Sequence, residues 1–583
     1  MRTDPGLGAH MGRGTTAAVE RGITRRTARR TRWLAVGFVV ALVASCAPAE
    51  EDADAGGAVG EGDAGAQSDL ADPDGEPQHG GSIAVGLEAE APGWAPWEDT
   101  WGQSAWNVAR TFYDTLLERD EEGVPQPYLA ESIEPDEDFT AYTLTLREGV
   151  EFHDGTPLDA EAVITNLEIH RQPGALQAAD VAPIEELIAE DELTVRIELD
   201  QPHVAFADVL TREAGIVASP ASIEDGTATS EPVGTGPFVF EAWQRDQQLD
   251  VSRNDDYWRE DLPYLDAITF RPIPDEEARL QSLLAGDVEA MHTLRQSVIA
   301  QARDRSDEFN LYEHMGNDSG GAGFNTAIPP FDDPRPREAW AYAINQEELI
   351  EVLGGTGISP PARGWFNPES PWYVEEIEDI WPSQDLERAQ AAIDDYVEDP
   401  DRSDGKEPGE PVSFQFNTPP DPSLLETSSV YQAQVAQIGM EMEIATFDQA
   451  QLAAEAIGEP PDFIGDHQVS ITRVNEESDP DYLVASFAEG VPSNTTNFYD
   501  EEFFGLLIEA RQTPDFEERR DLYFQAQQIL AEEIIYTTTG HTATLIGTVP
   551  NLFGLDDWEL PDGAPGAGHP ESVGRWHSAW LDQ

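Results

Sequence analysis

Carboxylates dominate the groups in this chain that could do chemistry. The sequence has 114 Asp and Glu residues against 33 Lys and Arg residues, a formal net charge of −81. Carboxylate pairs act as acid and base in glycoside hydrolysis, but at this density their proximity in sequence has no diagnostic value. The sequence contains no G-x-S-x-G elbow and no H-E-x-x-H motif. His153, His170, His203 and His292 lack metal-ligand spacing, and no complete EF-hand loop is present. We therefore expect no catalysis, cofactor or bound metal; a secreted hydrolase is the alternative of another class.

The only cysteine, Cys46, directly follows the apolar stretch from Trp33 to Ser45, which an arginine cluster precedes. A basic region, a short apolar region and small residues in this order are typical of a secretory signal peptide. The apolar stretch is shorter than the ~20 residues that a membrane-spanning helix needs. The junction Val43-Ala44-Ser45-Cys46 resembles a bacterial lipobox. We expect a signal peptide over 1–45 and a lipid on Cys46, which would anchor the protein at the extracytoplasmic face of the cell membrane.

The acidity of the chain excludes some partners and indicates a habitat. Nucleic-acid binding needs a basic surface, and Lys406 is the only lysine in the sequence. Self-repulsion at this charge is screened at high salt, where the Debye length falls to about 3 Å at 1 M. We therefore interpret the acidity as adaptation to a salty medium rather than as recognition of a cationic substrate.

The chain divides into a tether and a large folded part. Residues 46–78 are rich in Gly, Ala, Asp and Glu, cannot bury enough surface to fold, and are predicted to form a flexible acidic tether. From residue 79 onward, strand and helix patterns are mixed, which predicts an α/β or α+β architecture of several lobes. The main predicted elements are a strand with Ile83, Val85 and Leu87 on one face, a helix over Ala105–Leu117, a strand over Phe139–Leu146, a helix over Ala160–His170 capped by Asp159, and helices over Arg337–Asn345 and Asp515–Glu533.

Several sequence blocks in the folded part carry a family resemblance. They are Phe112-Tyr-Asp-Thr-Leu-Leu117, Tyr142 to Pro157 with Asp159-Ala-Glu-Ala-Val163, Pro232-Val-Gly-Thr-Gly-Pro-Phe238, Phe324-Asn-Thr326 with Ala339 to Asn345, and Asp479-Pro-Asp481. In this order they resemble the extracellular solute-binding proteins of the peptide/oligopeptide class (family 5) of ABC importers. The resemblance covers nearly everything from Gly80 to the C-terminus.

The resemblance implies a two-lobe, periplasmic-binding-protein-like (type II) α/β fold with an extra subdomain inserted in the first lobe. The first lobe would combine about 79–116, 232–315 and 546–583, the subdomain would span about 117–231, and the second lobe about 316–545. A two-segment hinge would join the lobes. The implied function is capture of a small solute between the lobes and its delivery to the membrane permease of an ABC importer. Short peptides are the first expectation for the ligand and oligosaccharides the alternative, with the receptor acting as a monomer.

The resemblance also implies where the ligand binds. Relatives receive the α-amino group of a peptide on an acidic residue just before the Asp-Pro-Asp block, and Glu476 is the matching position here, although the family commonly has Asp. Arg473, Val474 and Asn475 belong to the same segment, and Arg473 stands where relatives carry an aromatic residue. We expect Glu476 to accept a charge-assisted hydrogen bond from an ammonium group and Arg473 to pair with a ligand carboxylate or with Glu477.

The opposite wall is predicted to come from Trp101, Gly102, Gln103 and Ser104. The tryptophan would offer an aromatic face, and the glycine would let a ligand approach the backbone. Asn325, close to the expected lobe crossing, is a further candidate for the hinge or the site. Asp479 is assigned to folding, as the N-cap of a helix over Asp481–Ala488 that has Pro480 in its first turn.

Overall fold

The computed structural model describes residues 75–583, apart from positions 173, 448, 459–462, 476–478, 492, 557, 568–572 and 583. The predicted signal peptide, Cys46 and nearly all of the predicted tether lie outside the described residues. Within the described ranges, no helix is both long and apolar enough to cross a membrane.

The described residues form eighteen strands and fourteen α-helices. The strands are β1 (Ser82–Leu87), β2 (Leu117–Arg119), β3 (Pro125–Pro127), β4 (Ala130–Pro135), β5 (Ala141–Leu146), β6 (Ile184–Ala189), β7 (Thr194–Leu199), β8 (Phe238–Gln244), β9 (Gln248–Arg253), β10 (Ala267–Pro272), β11 (Ala290–Thr293), β12 (Asn310–Phe324), β13 (Ser413–Thr418), β14 (Glu441–Thr446), β15 (Val469–Asn475), β16 (Tyr536–Thr548), β17 (Leu552–Phe553) and β18 (Trp580–Leu581). The helices are α1 (Gln103–Phe112), α2 (Ala160–His170), α3 (Phe206–Val209), α4 (Pro220–Asp225), α5 (Glu276–Ala285), α6 (Gln296–Arg303), α7 (Pro334–Ala343), α8 (Gln346–Val352), α9 (Leu386–Val397), α10 (Pro422–Val435), α11 (Gln449–Ile457), α12 (Tyr482–Phe487), α13 (Glu501–Gln512) and α14 (Phe516–Glu533).

Ten strands form one continuous sheet in the order β14-β13-β15-β12-β16-β11-β1-β10-β9-β8. The half of this sheet from β11 to β8 belongs to the first lobe, where β1 runs parallel to both β10 and β11. The other half, from β14 to β15, belongs to the second lobe, where β13 runs parallel to β14 and β15. The sheet therefore contains a parallel region in each lobe, and β12 and β16 lie between the two regions.

Strand β1 differs from the expected alternation, because every residue from Ile83 to Leu87 is buried, including Gly86. Val85 packs in a cluster with α1, whereas Ala84 faces a second cluster formed by α5 and α6. Helices therefore cover both faces of this parallel strand, and a strand that is buried on both faces reads as a continuous apolar run.

The subdomain has its own sheet and core. Strands β4, β5, β7 and β6 form a four-stranded antiparallel sheet, and α2 packs on it. Asp159 caps α2 by accepting a hydrogen bond from the N–H of Ala162 at 2.9 Å, as the sequence predicts. The apolar residues of this core lie between Leu116 and Val217, separate from the two clusters of the second lobe.

Strands β12 and β16 pass from one lobe to the other side by side. Their antiparallel pairing runs from Asn310 with Thr548 to Met315 with Ala543, and resumes at Ser319 with His541. Between these pairs β12 has extra residues opposite Thr542, so the ladder is interrupted where the lobes meet. The predicted two-segment hinge would lie at these two chain crossings. The exact lobe boundaries remain a prediction.

Several predicted helix limits were wrong. Helix α1 ends at Phe112 rather than Leu117, because Leu117 opens β2. Helix α7 begins at Pro334 rather than Arg337, and α14 begins at Phe516 rather than Asp515. In these two helices the aspartate directly before the first helical residue, Asp333 or Asp515, is the cap and accepts an N–H of the first turn.

Candidate functional site

A cavity of about 790 Å³ lies where the two lobes meet, beside the β12–β16 crossing. Pockets of about 300–1,000 Å³ are typical of small-molecule sites. The first-lobe wall comes from Glu88, Ala89, Pro274, Glu276, Leu294, Arg295 and Gln296. The second-lobe wall and the floor come from Gly320, Gly321, Ile350, Leu353, Gly355, Ser359, Pro419, Asp421, Ser423, Leu424, Thr427, Leu452, Ile471, Thr472, Thr539, Gly540, His541 and Thr542.

The sheet topology explains why these residues converge. Glu88 directly follows β1, Pro274 comes shortly after β10, and Leu294 directly follows β11. Across the cavity, Pro419 directly follows β13, which is parallel to β15. The cavity thus lies at the carboxyl ends of parallel strands in both lobes, the position where open α/β sheets commonly bind ligands.

Two adjacent glycines bring the backbone of β12 to the cavity. A Cβ atom on Gly321 would lie 1.8 Å from the carbonyl oxygen of Thr537, so no larger residue fits there. A Cβ atom on Gly320 would have no heavy atom within 4 Å. Gly321 is thus required for the close approach of β12 to β16, while Gly320 leaves open space beside the backbone.

The first-lobe wall carries a mixed-charge cluster. The Nε of Arg295 lies 3.5 Å from an oxygen of Glu276, and its side chain is 25% exposed. Behind these residues the fully buried Arg279 places Nη2 3.7 Å from Glu88 and 3.8 Å from Glu276. Burial raises the pKa of Glu276, while Arg295 and Arg279 oppose this shift. His292 Nδ1 lies 3.6 Å from the same oxygen of Glu88.

On the second-lobe side, the cavity presents one carboxylate and one neutral imidazole. Asp421 caps α10, and its Oδ1 accepts hydrogen bonds from the N–H groups of Ser423 and Leu424 at 2.9 and 3.1 Å. Burial lowers the pKa of His541 to about 4, so its ring is uncharged at neutral pH. Arg295 is therefore the one cationic side chain among the described residues that line the cavity.

A hydrogen bond links the two walls at the edge of the cavity. The hydroxyl of Ser359 donates to Oε1 of Gln296 at 2.6 Å. The guanidinium of Arg303, at the other end of α6, donates to the carbonyl of Gly357 at 2.7 Å. These polar contacts join α6 of the first lobe to the loop that contains Gly357 and Ser359 in the second lobe.

The structure places the predicted aromatic wall in the first-lobe core. Trp101 is 8% exposed, and its indole N–H donates to the carbonyl of Gly93 at 3.0 Å. Its ring stacks on Tyr113 and meets Trp106 edge-on. Trp101 and Gly102 directly precede α1, Gln103 and Ser104 begin it, and none of the four lines the large cavity. Ser104 lines a separate, smaller cavity of about 20 Å³, and Ala89 lines both this cavity and the large one. The ligand contacts of these four residues stay a prediction.

Asn325 is a structural residue in this arrangement. It is completely buried, and its Nδ2 donates to the carbonyls of Gly465 and His467 at 2.9 and 3.0 Å. Its Oδ1 accepts hydrogen bonds from the N–H of Ala327 and from Asn497, both at 3.1 Å. With all these bonds made inside the second lobe, Asn325 does not reach the cavity.

Arg473, Val474 and Asn475 form the end of β15, directly after the cavity residues Ile471 and Thr472. Their backbones pair with Gly320, Ser319 and Asp318 of β12. Their side chains, and the whole of Glu476, lie outside the described part of the chain. The ligand contacts of these four residues remain a prediction. The segment that carries them directly follows two residues that line the cavity.

Asp479 contributes to folding by a different contact from the predicted one. Helix α12 starts at Tyr482, and Asp479 does not cap it. Its Oδ1 accepts a hydrogen bond from the N–H of Asp481 at 3.0 Å, and Arg519 donates to both carboxylate oxygens at 2.9 and 2.8 Å.

Over the described residues, no group of three or more His, Cys, Asp or Glu side chains is placed to hold a metal ion.

Sequence reasoning missed Arg295, Gly320, Gly321 and Asp421. The glycine run Gly320-Gly321-x-Gly323 inside a strand was a usable signal, because glycines within strands mark bulges or close backbone approach. Arg295 and Asp421 follow strands whose neighbours depend on the topology of the whole sheet. No local pattern identifies them.

Comparison with known proteins agrees with this architecture. The glutathione-binding protein GsiB of Escherichia coli (strain K12) is 27% identical over 555 residues, which cover 92% of this chain and 98% of the relative. The periplasmic binding protein DppA of Helicobacter pylori, solved with the peptide STSA, superimposes with a TM-score of 0.73 at 22% identity, covering 87% of this chain and 99% of that chain. The oligopeptide-binding protein AppA of Bacillus subtilis, solved with a nonapeptide, gives a TM-score of 0.72 at 22% identity and 87% and 100% coverage.

Together, the sheet, the inserted subdomain and the cavity beside a two-segment hinge define a type II periplasmic-binding-protein fold. Residues 124–495 match the model of the bacterial extracellular solute-binding proteins, family 5. The chain belongs to this family. It is an extracytoplasmic solute-binding protein of an ABC importer and not an enzyme.

Proposed function

We propose that this receptor captures short peptides with free termini in the cavity between its lobes and delivers them to the permease. The observation that carries the proposal is the pairing of one cationic side chain with several carboxylates around one cavity. A peptide is a zwitterion whose ammonium and carboxylate groups need partners of opposite charge. Glutathione and the peptides bound by the relatives named above share this chemistry.

Arg295 is the proposed partner of the ligand's carboxylate. It occupies the N-cap position of α6, where its side chain makes no capping hydrogen bond. A guanidinium stands here at the positive end of the helix, a position that disfavours arginine unless anions stand beside it. Glu276 is one such anion at 3.5 Å, and a ligand carboxylate that accepts hydrogen bonds from Arg295 would be another.

The ammonium group of the ligand is proposed to meet a carboxylate. Asp421 and Glu276 stand on opposite walls of the cavity. Glu476, the position that matches the amine-binding residue of relatives, is the third candidate. Because the space where a Cβ of Gly320 would stand is empty, an extended peptide could approach the sheet closely at this position.

The composition of the walls disfavours the oligosaccharide alternative. Sugar sites commonly use aromatic faces, and the described lining contains no Phe, Tyr or Trp. The tryptophans at Trp94, Trp101 and Trp106 are all buried in the first-lobe core.

A thermal-shift screen tests the proposed ligand class. The full-length mature chain in high salt is mixed with di- to hexapeptides and, in parallel, with small oligosaccharides. A ligand at 100 times its Kd stabilises the fold by about 2.7 kcal/mol, which raises the Tm by a few degrees. Shifts with peptides alone support the proposal. Shifts with sugars alone, or with neither set, contradict it.

Lipid attachment at Cys46 is part of the same proposal. The lipobox-like junction and the acidic tether at 46–78 would hold the receptor at the membrane while leaving the binding lobes free to meet the permease. The intact mass of the protein extracted from its native membrane tests this proposal. The wild-type protein should carry the additional mass of a diacylglycerol at Cys46. The Cys46→Ser variant is the control and should lack this mass and leave the membrane. An unmodified N-terminus at Cys46 contradicts lipidation.

A further inference from the structure

The subdomain touches the second lobe at a buried polar junction. His203 lies in the loop after β7 and is completely buried. Its Nε2 atom is 2.8 Å from Oδ2 of Asp481, which precedes α12 in the second lobe. The next residue, Val204, donates its backbone N–H to the carbonyl of Arg511 at 2.9 Å.

Each side of this junction is held in place within its own part of the protein. Arg511 donates to both oxygens of Asp481, from Nε at 2.8 Å and from Nη2 at 2.7 Å. On the subdomain side, the hydroxyl of Tyr142 donates to the carbonyl of His203 at 2.6 Å. The backbone N–H of His203 donates to the carbonyl of Phe139 at 3.0 Å. The Asp481 carboxylate and the His203 ring are therefore pre-positioned to meet.

The junction is charged rather than apolar. Burial alone would raise the pKa of Asp481, but His203 and Arg511 hold this pKa well below its usual range. Burial raises the pKa of the neighbouring Asp479, against the effect of Arg519. The two contacts described across this junction, His203 with Asp481 and the Val204 N–H with the Arg511 carbonyl, are both polar.

A contact of this kind suits a surface that separates and re-forms. A buried polar contact gains roughly what its groups lose in hydration, so exchanging it for water changes the free energy little. Buried apolar side chains would oppose separation in proportion to their area. In addition, the chain passes between the lobes at the β12–β16 crossing and not at His203 or Asp481. The two residues can therefore separate without a break in the chain path between the lobes.

We propose that His203 and Asp481 are positioning residues that latch the subdomain to the second lobe in the closed arrangement, which the unliganded chain already populates, and that they part when the lobes open. The proposal rests on the proposed function, because closure over a solute is what such a latch would serve. It also gives the Asp-Pro-Asp block a role: Asp479 fixes the segment through Arg519, and Asp481 presents the latch.

Hydrogen exchange measured by mass spectrometry on the full chain without any peptide tests the latch. In His203→Ala, exchange should rise several-fold in two separate segments, the loop at 200–205 and the segment at 481–487, while residues 141–199 keep their protection. His203→Gln retains an N–H donor for Asp481 and should restore the wild-type pattern. His170→Gln is the matched control, because His170 is a buried subdomain histidine whose ring faces Trp97 of the first lobe.

Small-angle scattering of the same unliganded proteins gives the second readout. The radius of gyration should increase in His203→Ala, as the released lobes turn apart, and should not change in His203→Gln or His170→Gln. Unchanged exchange at 481–487, or exchange that rises throughout 141–199 with no increase in radius, would overturn the proposal. Neither measurement contains a peptide, so failure of the proposed peptide ligand would leave this result independent.

Discussion

Replacing Arg295 by alanine should weaken the binding of peptides that have a free C-terminus. The guanidinium is three-quarters buried and contacts Glu276 at 3.5 Å, so it can turn towards a ligand without breaking a tight pair. A lost hydrogen bond between charged groups costs about 1.5–3 kcal/mol, which is roughly 10- to 150-fold in Kd. The free energy of unfolding should change by less than ~1 kcal/mol, as for other partly exposed ion pairs.

Calorimetric titration with one peptide and its C-terminal amide isolates the contact. Against wild-type protein the amide should bind more weakly than the acid. Against Arg295→Ala the two forms should bind equally, because the cationic partner of the carboxylate is gone. Arg171→Gln removes an arginine that pairs with Glu168 at 2.7 Å on the surface of the subdomain, and this control should bind like wild type.

Two results would refute this reasoning about Arg295. One is an equal loss of affinity for the acid and the amide, which would mean that the substitution acts on the shape of the wall. The other is an unchanged preference for the acid. If Arg473→Ala abolishes that preference instead, the carboxylate partner is Arg473, the alternative that the sequence suggests.

Further predictions concern the hinge, the cavity floor and the core. Gly321→Ala should lower the free energy of unfolding by about 1–3 kcal/mol, because its Cβ would collide with Thr537, whereas Gly320→Ala should be nearly neutral. Denaturant unfolding of both variants measures the two losses of stability, and equal losses would contradict the argument. His541 is neutral in the fold with a pKa of about 4, so the unfolded chain binds its proton first and stability falls as the pH drops from 6.5 to 4, by about 3 kcal/mol from this group. Unfolding at pH 7 and 4.5 should show a smaller acid loss in His541→Gln, and an identical loss would be inconsistent with a buried neutral ring. Trp101→Phe should cost about 1–3 kcal/mol of stability by leaving a buried carbonyl without its donor, with unchanged peptide affinity; weaker binding at unchanged stability would instead support the predicted ligand contact.

The sequence predicted the architecture better than the contents of the cavity. Local signals identified α2 and its cap, since Asp159 and the apolar spacing lie within a few residues of each other. The ordered family blocks predicted the two-lobe fold because they extend over most of the chain. Leu117 was misassigned to a helix, since an apolar residue at a helix end fits equally well at the start of a strand.

The cavity could not be read from the sequence in the same way. Arg295 and Asp421 line the same cavity because β11 and β13 run in opposite directions in one continuous sheet and both end at the junction of the lobes, a property of strand order. For Trp101, the predicted ligand contact remains a prediction. An aromatic residue near a glycine suggests a binding wall, but the apolar surface of the indole is better buried in the first-lobe core.

Titration calorimetry of the mature chain with short peptides at high salt tests the central claim most directly. The account predicts saturable, one-to-one binding that disappears when both peptide termini are blocked, because the cavity offers charged partners to each terminus. A folded protein that releases no binding heat with any peptide, or that binds the doubly blocked peptide as tightly as the free one, would contradict it.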